Sequence, residues 1–353
     1  MTLGKRFDPR NNGLNFLRLV LATSVIVWHA YPLSGRDVES AALQQFMEAT
    51  PVDGFFAISG FLIASSWIRR PHAWSFIWAR ILRIFPGFLA CLVVTAAVLA
   101  PIGLLLSGEG IPNDYLGGAI GYVVKNGSLN MFQYDIAGTP TGVPYPGVWD
   151  GSLWTLRWEF LCYLGILILG LVGALNRSWV LSVLFVVAVA GLILVGYGPL
   201  GGDTLTNLTR FGVMYLAGTL VYVFRDRLPG SVWWSIPAVA VIGASLFMHS
   251  YQIIAAPFLA YLLINLGAHI RTRWLRLEND ISYGVYIYAF PIAQILIGLG
   301  MANVPIVWFM FATIVLTVPL AIASWFAVEK PAMKLRHLRR PRTVQEVAVA
   351  ERT

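Results

Sequence analysis

The feature that most constrains this chain is a series of apolar runs, each about 20 residues long with few or no charges. Residues 14–33, 179–197 and 304–327 are the clearest examples. An α-helix of that length crosses a hydrocarbon core about 30 Å thick. Charged residues make up 12% of the chain and hydrophobic residues 58%, whereas a soluble domain needs about 25% charged residues. The sequence therefore predicts an all-α membrane protein.

We predict about ten transmembrane helices in one membrane domain, residues 1–330, followed by a basic cytoplasmic tail, residues 331–353. The predicted spans are 14–33, 51–68, 77–105, 152–174, 179–197, 208–224, 232–248, 251–268, 281–299 and 304–327. The third span is long enough to tilt, kink or project from the bilayer. The first run is too long for the core of a cleavable signal peptide, so we expect it to be retained.

Basic residues alternate between the loops in a way that predicts the orientation. The predicted cytoplasmic set is Lys5, Arg6, Arg10, Arg69, Arg70, Arg80, Arg177, Arg225, Arg227, Arg271, Arg273, Arg276 and the tail residues from Lys330 onward. The opposite loops carry little beyond Arg36 and Lys125. By the positive-inside rule both termini are cytoplasmic, and the long loop 106–151 is extracytoplasmic. The net charge of +8 therefore indicates topology and contact with anionic lipid rather than nucleic-acid binding.

Two polar residues lie within predicted spans at a similar depth. His29 is near the outward end of the first span, and Glu159 is about two turns inside the outward end of the fourth. A carboxylate next to an imidazole fixes its tautomer and raises its basicity, which suits a general base. A purely structural His–Glu pair that joins two helices is an equally open interpretation.

Arg80 and Arg83 form an R-x-x-R pair at the cytoplasmic start of the third span. The spacing places both guanidiniums on one helix face, a geometry suited to phosphate or diphosphate. Plain topology anchoring is the alternative, although Arg83 lies deeper than an anchor requires. Arg18, one turn into the first span, either snorkels to the cytoplasm or joins this basic region.

The second span opens with small and polar residues, Asp53, Gly54, Ser59 and Gly60. The two glycines leave room for a close helix crossing or for a slim ligand. Cys91 and Cys162 both lie in apolar runs, which gives no indication of a disulfide. No group of residues has the spacing of metal ligands, so we expect no metal site.

Five segments, in this order, resemble acyltransferase family 3, the membrane O-acyltransferases of bacterial surface polysaccharides. They are NNGLNFLRLVLATSVIVWHAYPL, DGFFAISGFLIASSW, FIWARILRIFPGF, GSLWTLRWEFLCYL, and the closing pair SYGVYIYAFPI and VEKPAMKL. The resemblance covers about residues 11 to 336. It implies the fold of that family and a location in the bacterial inner membrane.

The resemblance also implies a reaction. Acyl-CoA, commonly acetyl-CoA, donates an acyl group from the cytoplasm to a hydroxyl of an extracytoplasmic glycan or lipid-linked saccharide. Carried over by position, His29 is the catalytic histidine and Glu159 its polar partner. The donor side comprises Arg80, Arg83 and Arg18, with a channel lined by Gly54, Ser59 and Gly60. His29 lies about 20 Å further out by helix rise, roughly the reach of a phosphopantetheine arm. An acyl-histidine intermediate remains open.

On the acceptor side the resemblance leaves several candidates, namely Trp149, Trp154, Arg157 and Asp53. Arg157 is an extra charge that neutralises Asp53 or Asp150, or contacts an anionic acceptor. Asn15 and Ala289 depart from the acidic residue and the histidine that many members carry at these positions. They indicate a subgroup. The oligomeric state stays open.

Two other functions are compatible with polar residues inside a membrane. A secondary transporter also uses intramembrane His, Glu and Arg, but we find no paired interrupted helices in corresponding halves of the sequence. A non-catalytic partner in polysaccharide export would require neither His29 nor the R-x-x-R pair.

Overall fold

The computed structural model describes residues 1–198 and 201–337 of the chain. Eleven helices of eight residues or more follow one another: α1 Leu14–Leu33, α2 Ala41–Arg69, α3 Ala73–Ser107, α4 Tyr115–Asn126, α5 Thr155–Leu171, α6 Ser178–Tyr197, α7 Asp203–Phe224, α8 Ser235–Ser245, α9 Gln252–His269, α10 Ser282–Gly298 and α11 Ile306–Lys334. Within these described ranges no strand occurs, only isolated bridges. The predicted all-α class is confirmed.

A helix occupies each of the ten predicted spans, and the additional helix α4 lies in the long loop. Six helices, α1, α2, α3, α6, α9 and α11, are both long enough and apolar enough to cross a membrane, and α8 and α10 are shorter apolar helices. Helices α5 and α7 carry Glu159 and Arg210, which lower their hydropathy. The exact number of spans and the cytoplasmic location of the termini therefore stay predictions.

Two long helices contain a widened π turn just before a proline. In α3 the π turn is Thr95–Leu99 and Pro101 follows, and in α11 it is Trp325–Glu329 and Pro331 follows. A proline lacks an N–H and its ring clashes with the carbonyl four residues earlier, so the turn before it widens. Helix α11 continues past the domain boundary predicted at residue 330. The rest of the predicted tail, residues 338–353, lies outside the described residues.

The centre of the bundle is built on α2 and α10, whose side chains are mostly buried. Helices α6, α8 and α11 lie outside and expose large apolar side chains such as Val186, Ile236 and Phe311. Such a surface suits contact with lipid tails, which do not penalise exposed apolar groups. The polar side chains described next lie between α1, α2, α5, α7 and α10.

Candidate functional site

A polar cavity with a volume of about 290 Å³ lies at the C-terminal end of α1, the end predicted to face outward. Its walls come from α1, α2, α7, α10 and the loop that precedes α5. His29 lines it together with Trp28, Trp154, Arg210 and Phe290. We call it the outer cavity. Of the residues that the sequence placed on the acceptor side, Trp154 is the one that lines this space.

The ring of His29 is held in one orientation by its own helix. Nδ1 lies 3.0 Å from the carbonyl oxygen of Val25, and the edge of the ring packs against Phe290 with 5.2 Å between centroids. A carbonyl oxygen only accepts, so Nδ1 must carry the hydrogen and donate it. The second nitrogen, Nε2, is then left with its lone pair, as a general base requires.

The predicted pair of His29 and Glu159 is not formed. Glu159 Oε1 accepts hydrogen bonds from the hydroxyls of Ser59, at 3.0 Å, and Tyr163. It lines a second, narrower cavity of about 30 Å³, which we call the inner cavity. The two residues have similar depths on their helices but face different spaces, so the group that orients His29 is the carbonyl of Val25.

The two cavities meet at a common wall. Val52, Thr155 and Tyr286 line both of them. The Thr155 hydroxyl lies 2.6 Å from the Tyr286 hydroxyl, which donates a hydrogen bond of 2.8 Å to the carbonyl of Ser152. The two cavities are therefore adjacent, the outer one with His29 and the inner one with Glu159, and together we call them the polar path.

At the inner end the path reaches a group of arginines. Arg18 and Arg83 both form ion pairs with Oδ2 of Asp280, at 2.9 and 2.5 Å. Asp280 lies just before α10 and also accepts hydrogen bonds from Ser282. Burial alone would raise the pKa of Asp280, but the two guanidiniums hold it below the ordinary value of an aspartate. Glu329 lies 4.0 Å from Arg83 on the other side.

Arg80 differs from its neighbour Arg83. Its Nη2 donates to the hydroxyl of Ser66 at 2.8 Å, and its guanidinium lies over the rings of Phe76 and Tyr163. Among the residues described, none provides a carboxylate within ion-pair distance of Arg80, and its Nε has no hydrogen-bond partner. The R-x-x-R pair therefore contains one arginine that is neutralised by acids and one that remains available to an anion.

Gly54 and Gly60 have a different role from the predicted donor channel. A Cβ at Gly60 would lie 2.1 Å from the carbonyl oxygen of Tyr215, so this glycine allows α2 and α7 to cross closely. A Cβ at Gly54 would meet Leu21 and Leu263. Neither glycine lines either cavity, because both face neighbouring helices. Of the three predicted channel residues, Ser59 is the one that reaches the site, through its hydrogen bond to Glu159.

Asp53 is neutralised by Arg210, not by Arg157. Arg210 Nε lies 2.9 Å from Asp53 Oδ1. Arg157 instead donates to the side chain of Asn130 at 2.8 Å and lies over the ring of Trp158. It does not line the outer cavity. The interpretation of Arg157 as the partner of Asp53 was therefore wrong.

Two further residues from the sequence prediction lie in the loop before α5. Trp149 is buried away from the cavities, where its Nε1 donates to Thr139 at 3.1 Å. It stabilises the loop and does not line the acceptor side. Asp150 is also buried and accepts two hydrogen bonds from Ser152. Burial raises the pKa of Asp150 to about 7.

Sequence reasoning missed several residues of the site, among them Arg210, Asp280, Tyr286 and Glu329. Arg210 lies two residues inside a predicted span, and an ionisable residue at such a position indicates function by default. Asp280 directly precedes a predicted span, Glu329 follows one, and Tyr286 lies in a quoted motif. Nothing in the sequence pattern shows that these three side chains face the cavities. Within the described part of the chain, no group of three His, Cys, Asp or Glu side chains is arranged to hold a metal ion.

Comparison with known proteins gives a consistent result. A family model described as an acyltransferase domain, that of acyltransferase family 3, matches residues 11–326. The O-acetyl transferase of Shigella phage Sf6 is 28% identical over 337 residues, which cover 91% of this chain and 96% of the phage protein. Nodulation protein 10 of Rhizobium leguminosarum bv. viciae is 31% identical over 362 residues, which cover 92% and 94%. No solved structure matches the chain. The family model covers nearly the whole chain, and the chain therefore belongs to acyltransferase family 3, the membrane acyltransferases.

Proposed function

We propose that this protein transfers an acyl group, in the first instance acetyl, from acyl-CoA to a hydroxyl of an extracytoplasmic glycan. The observation that carries the proposal is His29. Its imidazole lines a polar cavity, and its Nδ1–H donates to Val25, so that Nε2 is left as the base. The similarity to a protein named O-acetyl transferase supports acetyl as the group transferred.

The inner end of the path supports acyl-CoA as the donor. Three guanidiniums, those of Arg18, Arg80 and Arg83, lie at the end that the positive-inside rule assigns to the cytoplasm. Two of them already contact Asp280, so a phosphate would bind Arg80 first and share the others with that carboxylate. An arginine binds phosphate through two parallel N–H donors of its planar guanidinium, a bidentate geometry that the ammonium group of a lysine does not offer.

The reaction follows from this arrangement. Nε2 of His29 accepts the proton of the acceptor hydroxyl while its oxygen attacks the thioester carbonyl carbon. The C–S bond then breaks, and the CoA thiolate takes up the proton that His29 carries. The products are an O-acyl ester and CoA–SH. Glu159, with Ser59 and Tyr163, then lies on the donor side of the wall and does not orient the general base His29.

Transport of a small molecule across the membrane is the competing function. The test uses purified protein in liposomes, radiolabelled acetyl-CoA and de-O-acetylated surface polysaccharide from the source bacterium. We expect label on the polysaccharide, and higher thermal stability with acetyl-CoA than without it. Ion-dependent uptake with no label and no protection by acetyl-CoA would replace our proposal with the transporter.

A further inference from the structure

Arg210 is a charged residue of the outer cavity that no motif had indicated. It belongs to α7 and lines the cavity with His29. Its guanidinium is held on one edge only. Nε donates to Asp53 at 2.9 Å and Nη2 to the carbonyl of Ala49 at 3.3 Å. In the described part of the chain no hydrogen bond uses Nη1, and 19% of the side chain is exposed.

Asp53 is held more completely than Arg210. It is fully buried, and besides Arg210 it accepts hydrogen bonds from the hydroxyl of Tyr251 at 2.7 Å and from Gln252 Nε2 at 3.0 Å. These donors are the N-cap and the first residue of α9, so the carboxylate joins α2, α7 and the start of α9. Three hydrogen-bond donors fix the orientation of this carboxylate, and the carboxylate in turn fixes the guanidinium of Arg210 that faces the cavity.

The other walls of the outer cavity complement this guanidinium. Glu48, five residues before Asp53 on the exposed side of α2, lines the same cavity and interacts electrostatically with Arg210. Trp28 and Trp154 add aromatic walls. A sugar hydroxyl both donates and accepts hydrogen bonds, so it matches an arginine beside a carboxylate. A flat apolar ring beside them suits the C–H face of the sugar.

We propose that Arg210 binds the acceptor sugar and that Asp53 is its positioning residue. The free N–H groups of Arg210 donate to oxygens next to the reacting hydroxyl, and Glu48 accepts from a neighbouring hydroxyl. Together they hold the reacting hydroxyl toward Nε2 of His29. This inference rests on the proposed function, since it assigns a binding role within the same reaction.

The test separates acceptor from donor kinetics. Purified Arg210→Gln protein is assayed with radiolabelled acetyl-CoA and de-O-acetylated polysaccharide, with each substrate varied in turn. We expect the KM for polysaccharide to rise at least tenfold. The KM for acetyl-CoA, and the slow acetyl-CoA hydrolysis without polysaccharide, should stay within about twofold. Asp53→Asn should shift the same acceptor KM in the same direction, because Arg210 loses its anchor.

Arg210→Gln alone leaves a buried carboxylate without its cation, a strongly destabilising change that can prevent folding. The double variant Asp53→Asn with Arg210→Gln removes both charges and keeps partners for Tyr251 and Gln252. It should fold and still show the raised acceptor KM. Lys125→Gln, which removes an exposed charge that lines neither cavity, is the control and should behave as wild type.

A folded double variant with a normal acceptor KM would overturn the inference. So would an equal rise of both KM values, because this would indicate a general loss of structure. If the wild-type protein itself transfers no label from acetyl-CoA, then the proposed function fails rather than the assignment of Arg210 alone.

Discussion

Replacing His29 by glutamine removes the base of the outer cavity and keeps a polar side chain of similar reach. General-base catalysis by a placed imidazole contributes about 10²- to 10⁴-fold to a rate. At about 1.36 kcal/mol for each tenfold change, the barrier should rise by about 2.7 to 5.4 kcal/mol. We therefore expect kcat for acetyl transfer to fall by that factor, at saturating acetyl-CoA and polysaccharide.

The structural effect of the same change should be small. His29→Gln loses one hydrogen bond, the one to the carbonyl of Val25, and the edge contact with Phe290. A hydrogen bond of this kind contributes about 0.5–1.5 kcal/mol to stability. The variant should therefore remain folded. Its KM for acetyl-CoA should also be unchanged, because the arginines at the inner end are not touched.

The measurement is initial-rate transfer of radiolabelled acetyl groups, normalised to the amount of monodisperse protein. His249→Gln is the matched control, since His249 is an exposed histidine outside both cavities, and it should keep full activity. Our reasoning is refuted if His29→Gln retains more than about a tenth of wild-type kcat. It is also refuted if the loss of transfer only follows a loss of folded protein.

Three further changes test other parts of the structure. Gly60→Ala should lower the melting temperature in detergent by several degrees, because forcing α2 away from α7 costs about 1–3 kcal/mol. The control Gly212→Ala, with open space around its Cβ, should not lower it, and equal melting points of the two variants would contradict the close crossing. Arg80→Gln should raise the KM for acetyl-CoA about 10- to 100-fold, because a charge-assisted phosphate contact of about 1.5–3 kcal/mol is lost. A fall in kcat at unchanged KM would exclude a donor-binding role for Arg80. The depressed pKa of Asp280 means that its ion pairs stabilise the fold above the unfolded pKa of about 3.9, and that this stabilisation is lost as the pH falls further. Acidification from pH 6 to 3.5 should therefore lower the melting temperature of wild type more than that of Asp280→Asn. The same loss in both would show that the ion pairs do not stabilise the protein.

The helices could be predicted because apolar runs and helical length are both properties of the local sequence. The largest error concerns the start of α2, which begins at Ala41 rather than at residue 51. The added residues, AALQQFMEAT, favour a helix but are too polar to extend an apolar run. Ser40 caps this extension by accepting from the N–H of Leu43, and the helix continues through Pro51. Hydropathy indicates which segments prefer lipid, but it does not indicate where a helix continues beyond the lipid layer.

The candidate site could be predicted only in part, because sequence gives the depth of a residue and not the direction in which it faces. His29 and Glu159 have similar depths, yet they line different cavities. Gly60 faces α7 because of the way that α2 and α7 cross, which no local pattern shows. Asp53 and Arg210 are 157 residues apart, so their pairing depends on the tertiary fold.

The wall between the cavities separates the proposed donor side from His29. A path open at both ends would let ions leak and would let water reach the thioester. The inner cavity has a volume of about 30 Å³, room for about two water molecules, so the donor arm must displace side chains of the wall to reach His29. The hydrogen bond between Thr155 and Tyr286 contributes about 0.5–1.5 kcal/mol, less than one charge-assisted contact between phosphate and arginine. In the proposed reaction the donor arm therefore has to break this hydrogen bond before the thioester reaches His29.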